Sequence, residues 1–299
     1  MIIEGVTITG GVGFPAVLVT STVEYLVVAG GGTGGILTSG RGAGGGAGGL
    51  IYVSSAPVSS GALYTVTVGG GGASTNATTV AKGANSVFSG DGRTVTALGG
   101  GTGGYNDDTF NATTGGSGGG QWYPVYTGAA SIQPVNTSDG ISTYSTTGWG
   151  NKGGDSGVNQ PYGSGGGGAG SAGGNFNGAN GPVGGLGKSY SISGTSITYA
   201  GGGGSHGYTP NGGTVYFDNA NYGGLGGGGT GYGVYNILAN GSDNTGGGGG
   251  SGGSGGSGIV IIRYADTYSA AALTTGSPTI TVAGGYRVYK WTSSGSITF

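Results

Sequence analysis

The sequence contains no cysteine and few charged residues. Lysine and arginine together number 8, aspartate and glutamate number 10, and His206 is the single histidine among 299 residues. Without cysteine no disulfide framework can form, so the fold must be stabilised in another way. The net charge of −2 comes with no basic cluster. We therefore predict no nucleic-acid partner and no attraction to an anionic membrane surface.

Long apolar runs are also missing from the sequence. No stretch reaches the roughly 20 apolar residues that span a bilayer, so we predict no membrane insertion. The first residues, MIIEGVTITGG, include Glu4 and no basic group. This pattern does not fit a secretory signal peptide, and we expect synthesis in the cytoplasm without one.

Glycine, in contrast, is present in large excess, with 85 residues against only 8 prolines. Ordinary proteins contain about 7% glycine. A collagen helix is excluded because it needs an unbroken G-X-Y period and much proline. Disorder is not predicted either, because 34% of the residues are hydrophobic and they are grouped into strand-like stretches.

Short stretches rich in Val, Ile, Thr and Tyr separate the glycine tracts, and these residue types favour β-strands. The alternation in 64–68 predicts a strand with one buried face, whereas the apolar run 259–262 predicts burial on both faces. Only 266–276 could hold a short helical turn. The β-prone stretches are 5–11, 15–30, 49–55, 62–69, 93–99, 189–201, 213–219, 258–265 and 278–299.

The glycine tracts have a composition that suits the polyproline-II conformation, which has three residues per turn and no internal hydrogen bonds. The last tract, TGGGGGSGGSGGSG, contains a G-G-S triplet run. Such helices, packed side by side, can satisfy each other's backbone groups. We therefore predict a mainly β or irregular fold with essentially no α-helix. It would be a polyglycine-II helix sandwich packed with short β-strands at the N- and C-terminal ends, which anchor the lattice.

A dinucleotide-binding loop is the first alternative, because Gly30, Gly32 and Gly35 have G-x-G-x-x-G spacing. That motif needs a following helix and a carboxylate roughly 20 residues on. The sequence continues instead into LTSGRGAGGGAGG, and the next acid after Glu24 is Asp91. We reject this interpretation and predict no cofactor.

Catalytic and metal-binding patterns are weak. Asp155-Ser156-Gly157 imitates a protease nucleophile motif, but the single histidine, His206, follows it instead of preceding it. Asp107 and Asp108 are adjacent carboxylates, which are more often solvated than bound to a cation. We predict no enzyme activity, no catalytic residues and no metal site.

The ordered motifs VEYLVVAGGGTGG, LYTVTVGGGG, SITYAGGGG and NTGGGGGSGGSGGSGIVIIRY, between Val23 and Tyr264, resemble the glycine-rich domain of bacteriophage tail-fibre and adhesin proteins. The resemblance implies a polyglycine-II scaffold at a fibre tip, with variable loops that contact the host. It suggests three regions: an N-terminal β attachment segment (1–22), the glycine-rich domain with inserted loops (23–264) and a C-terminal β module (265–299).

The partners implied are a host cell-surface glycan or outer-membrane protein and other virion fibre or capsid proteins, with a homo-oligomer possible and the virion surface as the location. Two other functions stay open. One is a structural virion or filament protein, such as a capsid decoration or self-assembling fibre without a specific receptor. The other is ice binding through threonine faces.

Aromatic residues between the glycine tracts are the candidate receptor contacts, because Tyr and Trp offer large contact areas at low entropic cost. The alternative is that these rings cover the glycine lattice and act as its core. The candidates are Tyr105, Trp122, Tyr123, Tyr126, Tyr144, Trp149, Tyr162, Tyr208, Tyr222 and Tyr235.

Overall fold

A computed structural model describes residues 18–35, 42–74, 80–105, 110–122, 127–134, 136–137, 146–157, 162–176, 182–206, 222–231 and 240–299. No helix occurs in these ranges, and the strands pair in antiparallel sheets, which confirms the mainly β, non-helical fold. The strands are β1 (Thr22–Val28), β2 (Leu50–Pro57), β3 (Leu63–Thr67), β4 (Ser86–Gly90), β5 (Arg93–Ala97), β6 (Asn136–Thr137), β7 (Thr146–Trp149), β8 (Lys188–Tyr190), β9 (Ile197–Tyr199), β10 (Ile259–Ala265), β11 (Leu273–Thr275), β12 (Thr279–Ala283), β13 (Tyr286–Trp291) and β14 (Gly295–Thr298).

The strands form two sheets and one separate hairpin. The larger sheet has the order β12-β13-β10-β1-β2-β7-β6, and the smaller has the order β11-β14-β3-β4-β5. Strands β8 and β9 form the hairpin. Residues 265–299 supply β11 to β14, of which β13 pairs with β10 and β14 pairs with β3. The C-terminal segment therefore shares both sheets with the rest of the chain.

The two sheets pack face to face around an aromatic and aliphatic core. Tyr25 of the larger sheet packs on Phe88 of the smaller one, with ring centroids 5.2 Å apart, and Phe88 also stacks on Tyr64. The buried side chains of this sandwich come from alternate positions of their strands. They include Val23, Tyr25, Val27, Ile51, Val53, Tyr64, Val66, Phe88, Val95, Val260, Ile262, Tyr289, Trp291 and Ile297.

Both burial patterns predicted for the strands are confirmed. In β3, Tyr64 and Val66 are buried while their neighbours are exposed. In β10, the run 259–262 is buried on both faces. The face of β10 turned away from the sandwich packs, through Ile261, in a second core cluster with Ile192 and Tyr199 of the β8–β9 hairpin region.

The strands continue directly into the glycine tracts. β1 runs into 29–35, the tract 42–49 runs into β2, β5 runs into 98–104, and 246–258 runs into β10. Each strand keeps its neighbours as it leaves a sheet and enters the lattice. Side chains of the strands also pack on the tracts, because Leu26 and Ile261 share a core cluster with Ala47.

The hydrogen bonds between tracts repeat every three residues, which is the period of the polyproline-II helix. In tract 29–35 successive N–H groups donate to three different neighbouring tracts in turn. Ala29, Gly32 and Gly35 donate to carbonyls of tract 42–49, Gly30 and Thr33 donate to 81–84, and Gly31 and Gly34 donate to 253–256.

The carbonyl groups of the same tract accept from further tracts. Gly30 and Thr33 accept from tract 98–104, while Gly32 and Gly35 accept from 249–252. Tract 29–35 is thus surrounded on all sides by other segments of the lattice. At about 3.1 Å per residue, seven residues make this lattice roughly 20 Å thick.

Close approach of the neighbouring backbones is the reason that glycine is needed here. A Cβ added at Gly31 would clash with the carbonyl group of Gly247, and one added at Gly44 would clash with that of Gly203. These obstacles are main-chain atoms, which cannot move aside as a flexible side chain can. The close spacing of the backbones therefore excludes a side chain at Gly31 and at Gly44.

Candidate functional site

The lattice has two ends, and the one opposite the sandwich collects many tract ends. Gly35 N donates to Ala43 O at 2.9 Å, and Ala43 N donates to Gly104 O at 3.0 Å. Gly252 N donates to Gly35 O at 2.9 Å. We call this cross-section, defined by Gly35, Ala43, Gly104 and Gly252, the loop end.

Several of the described ranges begin or end at the loop end. Gly35 and Gly42 flank segment 36–41, and His206, whose N–H donates to Gly42 O at 3.1 Å, precedes segment 207–221. These segments, and five of the predicted receptor contacts, lie outside the described residues. The five are Tyr123, Tyr126, Tyr144, Tyr208 and Tyr235.

Three of the predicted contacts, Tyr105, Trp122 and Tyr162, are buried, with exposed fractions of 4%, 1% and 4%. Tyr105 stacks on Phe110 with ring centroids 4.5 Å apart, and Tyr162 stacks on Phe176 at 4.2 Å. The burial favours the alternative role of these three, in which aromatic rings cover the ends of the tracts.

Trp122 shows why the tract ends need such rings. It forms a β-bridge with Gly163, and a Cβ added at Gly163 would meet the Trp122 ring. The indole therefore lies directly against a glycine backbone. A flat ring on a glycine tract replaces the interdigitating side chains of an ordinary core.

The two remaining predicted contacts are more accessible. Tyr222 is 47% exposed, and its carbonyl accepts a hydrogen bond from Gly184 N at 3.0 Å. Trp149 is half-buried in β7, in the larger sheet, with Lys188 Nζ 3.2 Å from the ring centroid. Tyr222 therefore belongs to the lattice, whereas Trp149 belongs to the sheet.

Comparison with known proteins now identifies the family. The profile of the family described as "Glycine-rich domain" matches residues 8–265. The chain belongs to this glycine-rich domain family. No curated protein and no solved structure matches the sequence.

The backbone N–H groups of the three G-x-G-x-x-G glycines are all engaged in hydrogen bonds within the lattice. The N–H groups of Gly30, Gly32 and Gly35 all donate to carbonyls of tracts 42–49 and 81–84. A pyrophosphate site of the dinucleotide-binding type needs such N–H groups free for the ligand. The spacing therefore reflects the lattice.

Asp155, in the protease-like triplet, also belongs to the lattice contacts. Its carboxylate binds Lys152 Nζ at 2.9 Å and accepts from Gly128 N at 2.9 Å. Burial alone would raise the pKa of Asp155, but the bonds from Lys152 and Gly128 outweigh it and hold the pKa below its usual value. The Asp155 side chain thus links the Gly128 backbone to the segment that contains Lys152 and Asp155.

Within the described ranges, no group of three or more His, Asp or Glu side chains lies close enough together to hold a metal ion. In those ranges there is also no helix capable of crossing a bilayer.

A charged cluster on the outer face of the larger sheet was not anticipated. Arg263 Nε donates to Glu24 Oε2 at 2.6 Å, and Tyr52 OH donates to Glu24 Oε1 at 2.8 Å. Arg263 also donates to Ser191 O at 2.9 Å and lies 4.3 Å from the Tyr286 ring centroid. Burial and the hydrogen bond to Glu24 raise the pKa of Tyr52 to about 12.

This cluster joins β1, β2 and β10 at their outer face. Glu24 and Arg263 are direct cross-strand partners. The signal in the sequence was one charge inside each of two otherwise apolar strands, VEYLVV and IVIIRY. A pair of opposite charges at such positions favours the pairing of those two strands.

Proposed function

We propose that the chain is a phage virion fibre or tip protein that recognises the host cell surface through loops displayed on a polyglycine-II scaffold. The observation that carries the proposal is the collection of tract ends at the loop end, opposite the sandwich. Binding residues are typically placed on loops that a rigid scaffold positions. The lattice has this arrangement, with many loop attachment points held in one cross-section.

The lattice supports the proposal because it fixes the attachment points of the loops. Gly35 and Gly104 both bind neighbouring tracts through N–H and C=O, so neither can shift alone. A loop whose two ends are fixed loses less conformational entropy when it binds. Loop sequences can then vary while the scaffold stays the same.

The buried rings and the accessible rings have different roles in this proposal. Tyr105, Trp122 and Tyr162 support the tract ends and do not contact the receptor directly. Direct contact is assigned to Tyr222 and to tyrosines of the connecting segments. Those tyrosines are Tyr123, Tyr126, Tyr208 and Tyr235. The receptor would be a host cell-surface glycan or an outer-membrane protein.

Binding of the labelled full chain to a panel of intact bacterial strains tests the proposal. The variant carries Tyr123→Ser and Tyr208→Ser, and the matched control carries Tyr268→Ser and Tyr286→Ser. Tyr268 lies between β10 and β11 and Tyr286 begins β13, so neither belongs to the candidate receptor contacts. We expect the variant to lose affinity on the order of thirtyfold or more, because even one such anchor contributes about 2 kcal/mol.

Treatment of the cells separates the two receptor classes. Binding lost after periodate oxidation indicates a glycan, and binding lost after protease treatment indicates an outer-membrane protein. Equal binding by the variant and the wild type would contradict the proposal. Ordered filaments without any cell binding would support the structural virion or filament protein instead.

A further inference from the structure

Sheet edges need protection, because their unpaired N–H and C=O groups can bind another strand. In the described residues, three of the four sheet edges have an evident protective feature. β6 has two residues and β11 has three. β5 carries Arg93, has Val95 and Ala97 buried, and continues into the lattice.

The fourth edge, β12, has no such feature. All five of its residues are exposed, and Ile280 and Val282 are each 50% exposed. The ladder between β12 and β13 is regular over five residue pairs, without a bulge. No charged residue lies between Asp266 and Arg287, and no proline lies within the strand. The other side of β12 is thus a flat, uncharged strand edge.

The sequence of β12, TITVA, is suited to pair with itself. A two-fold axis through Thr281 would place Thr281 opposite its own copy, Ile280 opposite Val282, and Thr279 opposite Ala283. Ile280 pairs with Tyr289 of β13, whose side chain is in the sandwich core, so Ile280 and Val282 lie on the sandwich side of the sheet. Pairing would cover these two apolar side chains, and no like charges would oppose each other.

We infer that β12 is a self-association strand, and that its occupant is the β12 strand of a second copy of this chain, paired antiparallel about Thr281. The two larger sheets would join into one continuous sheet across the dimer. Such an isologous contact closes on itself and does not propagate. The inference is independent of the proposed function, since it concerns the strand end of the molecule.

The contact is small, because only five residues of each strand take part. Specific stable interfaces bury about 800 Å² per partner, so we expect a weak dimer. Attachment of two copies to any common surface would raise their effective concentration and favour the pair.

Cysteine cross-linking tests the register directly, because the chain has no cysteine of its own. In the proposed dimer the two Thr281 Cα atoms would lie about 4.5–5.5 Å apart, within disulfide range. The two Thr279 Cα atoms would be four residues apart along the strands, or roughly 13 Å. Purified full-length Thr281→Cys should therefore form a disulfide dimer on the order of tenfold faster than Thr279→Cys, whose Cα atoms are too far apart to bridge.

A second variant keeps the test independent of the disulfide. Ile280→Lys with Val282→Lys places charges on an exposed edge and should abolish both cross-linking and the concentration-dependent dimer in sedimentation. The matched control, Leu186→Lys with Leu225→Lys, changes two apolar residues that are 51% and 73% exposed outside β12. That control should dimerise like the wild type.

Equal cross-linking rates for Thr281→Cys and Thr279→Cys would overturn the register. A wild-type chain that stays monomeric at the highest soluble concentration, with no cross-link at Thr281→Cys, would overturn the dimer and leave β12 to a different strand. Both results are obtained with purified protein and no cells. They can therefore fail while the cell-binding experiment succeeds, or the reverse.

Discussion

The sandwich and the lattice satisfy the same backbone groups with different neighbours. In the sandwich, each strand inside a sheet bonds to two neighbours in that sheet, and side chains such as Trp291 and Ile262 fill the space between the sheets. In the lattice, tract 29–35 bonds to neighbours on all sides, and other backbones fill the space. The difference decides which substitutions each region tolerates.

The sandwich should be sensitive to the loss of side-chain volume, whereas the lattice should be sensitive to its gain. Removal of buried methyl groups leaves a cavity in the first. Addition of a single methyl group in the second forces two backbones apart. The two regions are also continuous, since β1 runs straight into tract 29–35. A defect in one is therefore expected to be felt in the other.

The largest effect is expected from Gly31→Ala in the lattice. Its Cβ would clash with the backbone of Gly247 and Gly248, which other tracts hold in place. We expect a loss of about 3 kcal/mol or more in the free energy of unfolding, at the upper end of overpacking costs. Urea denaturation followed by circular dichroism measures it.

Gly70→Ala is the matched control, because it lies in another tract and a Cβ added there would meet nothing within 4 Å. Its stability should be unchanged or raised by a few tenths of a kcal/mol, since alanine restricts the unfolded chain. Equal destabilisation by both variants would show that lattice stability depends on glycine content and not on the spacing between backbones.

The next effect concerns polar side chains inside the lattice. Ser164 is fully buried, and its Oγ accepts from Gln121 N at 2.7 Å. Ser164→Ala would remove this acceptor and leave the Gln121 N–H only its longer bond to Gly154 O, at 3.3 Å. We expect the free energy of unfolding to fall by about 1–3 kcal/mol.

Ser117 is equally buried, but its hydroxyl has no hydrogen-bond partner among the residues that the structure describes. Ser117→Ala should therefore leave the unfolding free energy unchanged or slightly raised. The pair is compared by thermal and urea unfolding under one buffer condition. A loss at Ser117→Ala as large as at Ser164→Ala would contradict the assignment of the cost to the hydrogen bond.

A smaller effect is expected when one methyl group is removed from the cores of the sheets. Ile261 of β10 is fully buried and packs in one core cluster with Ile192 and Tyr199 of the β8–β9 hairpin region. Ile261→Val should cost about 0.5–1.5 kcal/mol, the usual range for this change. The comparison of Ile261→Val with Gly31→Ala contrasts the loss of one methyl group from a side-chain core with the gain of one methyl group between backbones. A larger loss at Ile261→Val than at Gly31→Ala would reverse the proposed contrast.

The local features of both regions could be predicted from the sequence. The alternation in 64–68 and the apolar run in 259–262 fix burial, because side-chain direction in a strand has a period of two. The triplet G-G-S run likewise indicated a helix of three residues per turn, but a turn at Ser251 and Gly252 divides this run in the structure. These are short-range properties, and each is encoded in a few consecutive residues.

The neighbours of each tract could not be predicted. Several glycine tracts are alike in composition, such as GAGGGAGG at 42–49 and GGGGG at 246–250, so few side chains distinguish one partner for 29–35 from another. In the structure, the strands supply this information: Glu24 pairs with Arg263, and the register continues into the tracts. The burial of Trp122 could not be predicted either, because a tryptophan beside glycine is compatible both with a binding loop and with a ring that covers the lattice.

The smallest effect is expected at alkaline pH, where the pH dependence of the unfolding free energy should distinguish the sandwich from the lattice. In the outer-face cluster of the sheet, the pKa of Tyr52 is raised to about 12 from 10.0. Its folded-state pKa exceeds the unfolded one, so its contribution to stability is complete below pH 10 and is lost as the pH rises from 10 towards 12. Between these limits, the unfolding free energy of wild type should fall more steeply than that of Tyr52→Phe. Tyr222→Phe, which changes an exposed lattice residue, should follow the wild type. If the slope of Tyr52→Phe equals that of wild type, the Tyr52–Glu24 bond does not couple protonation to folding, and the sandwich has no alkaline sensitivity from this site.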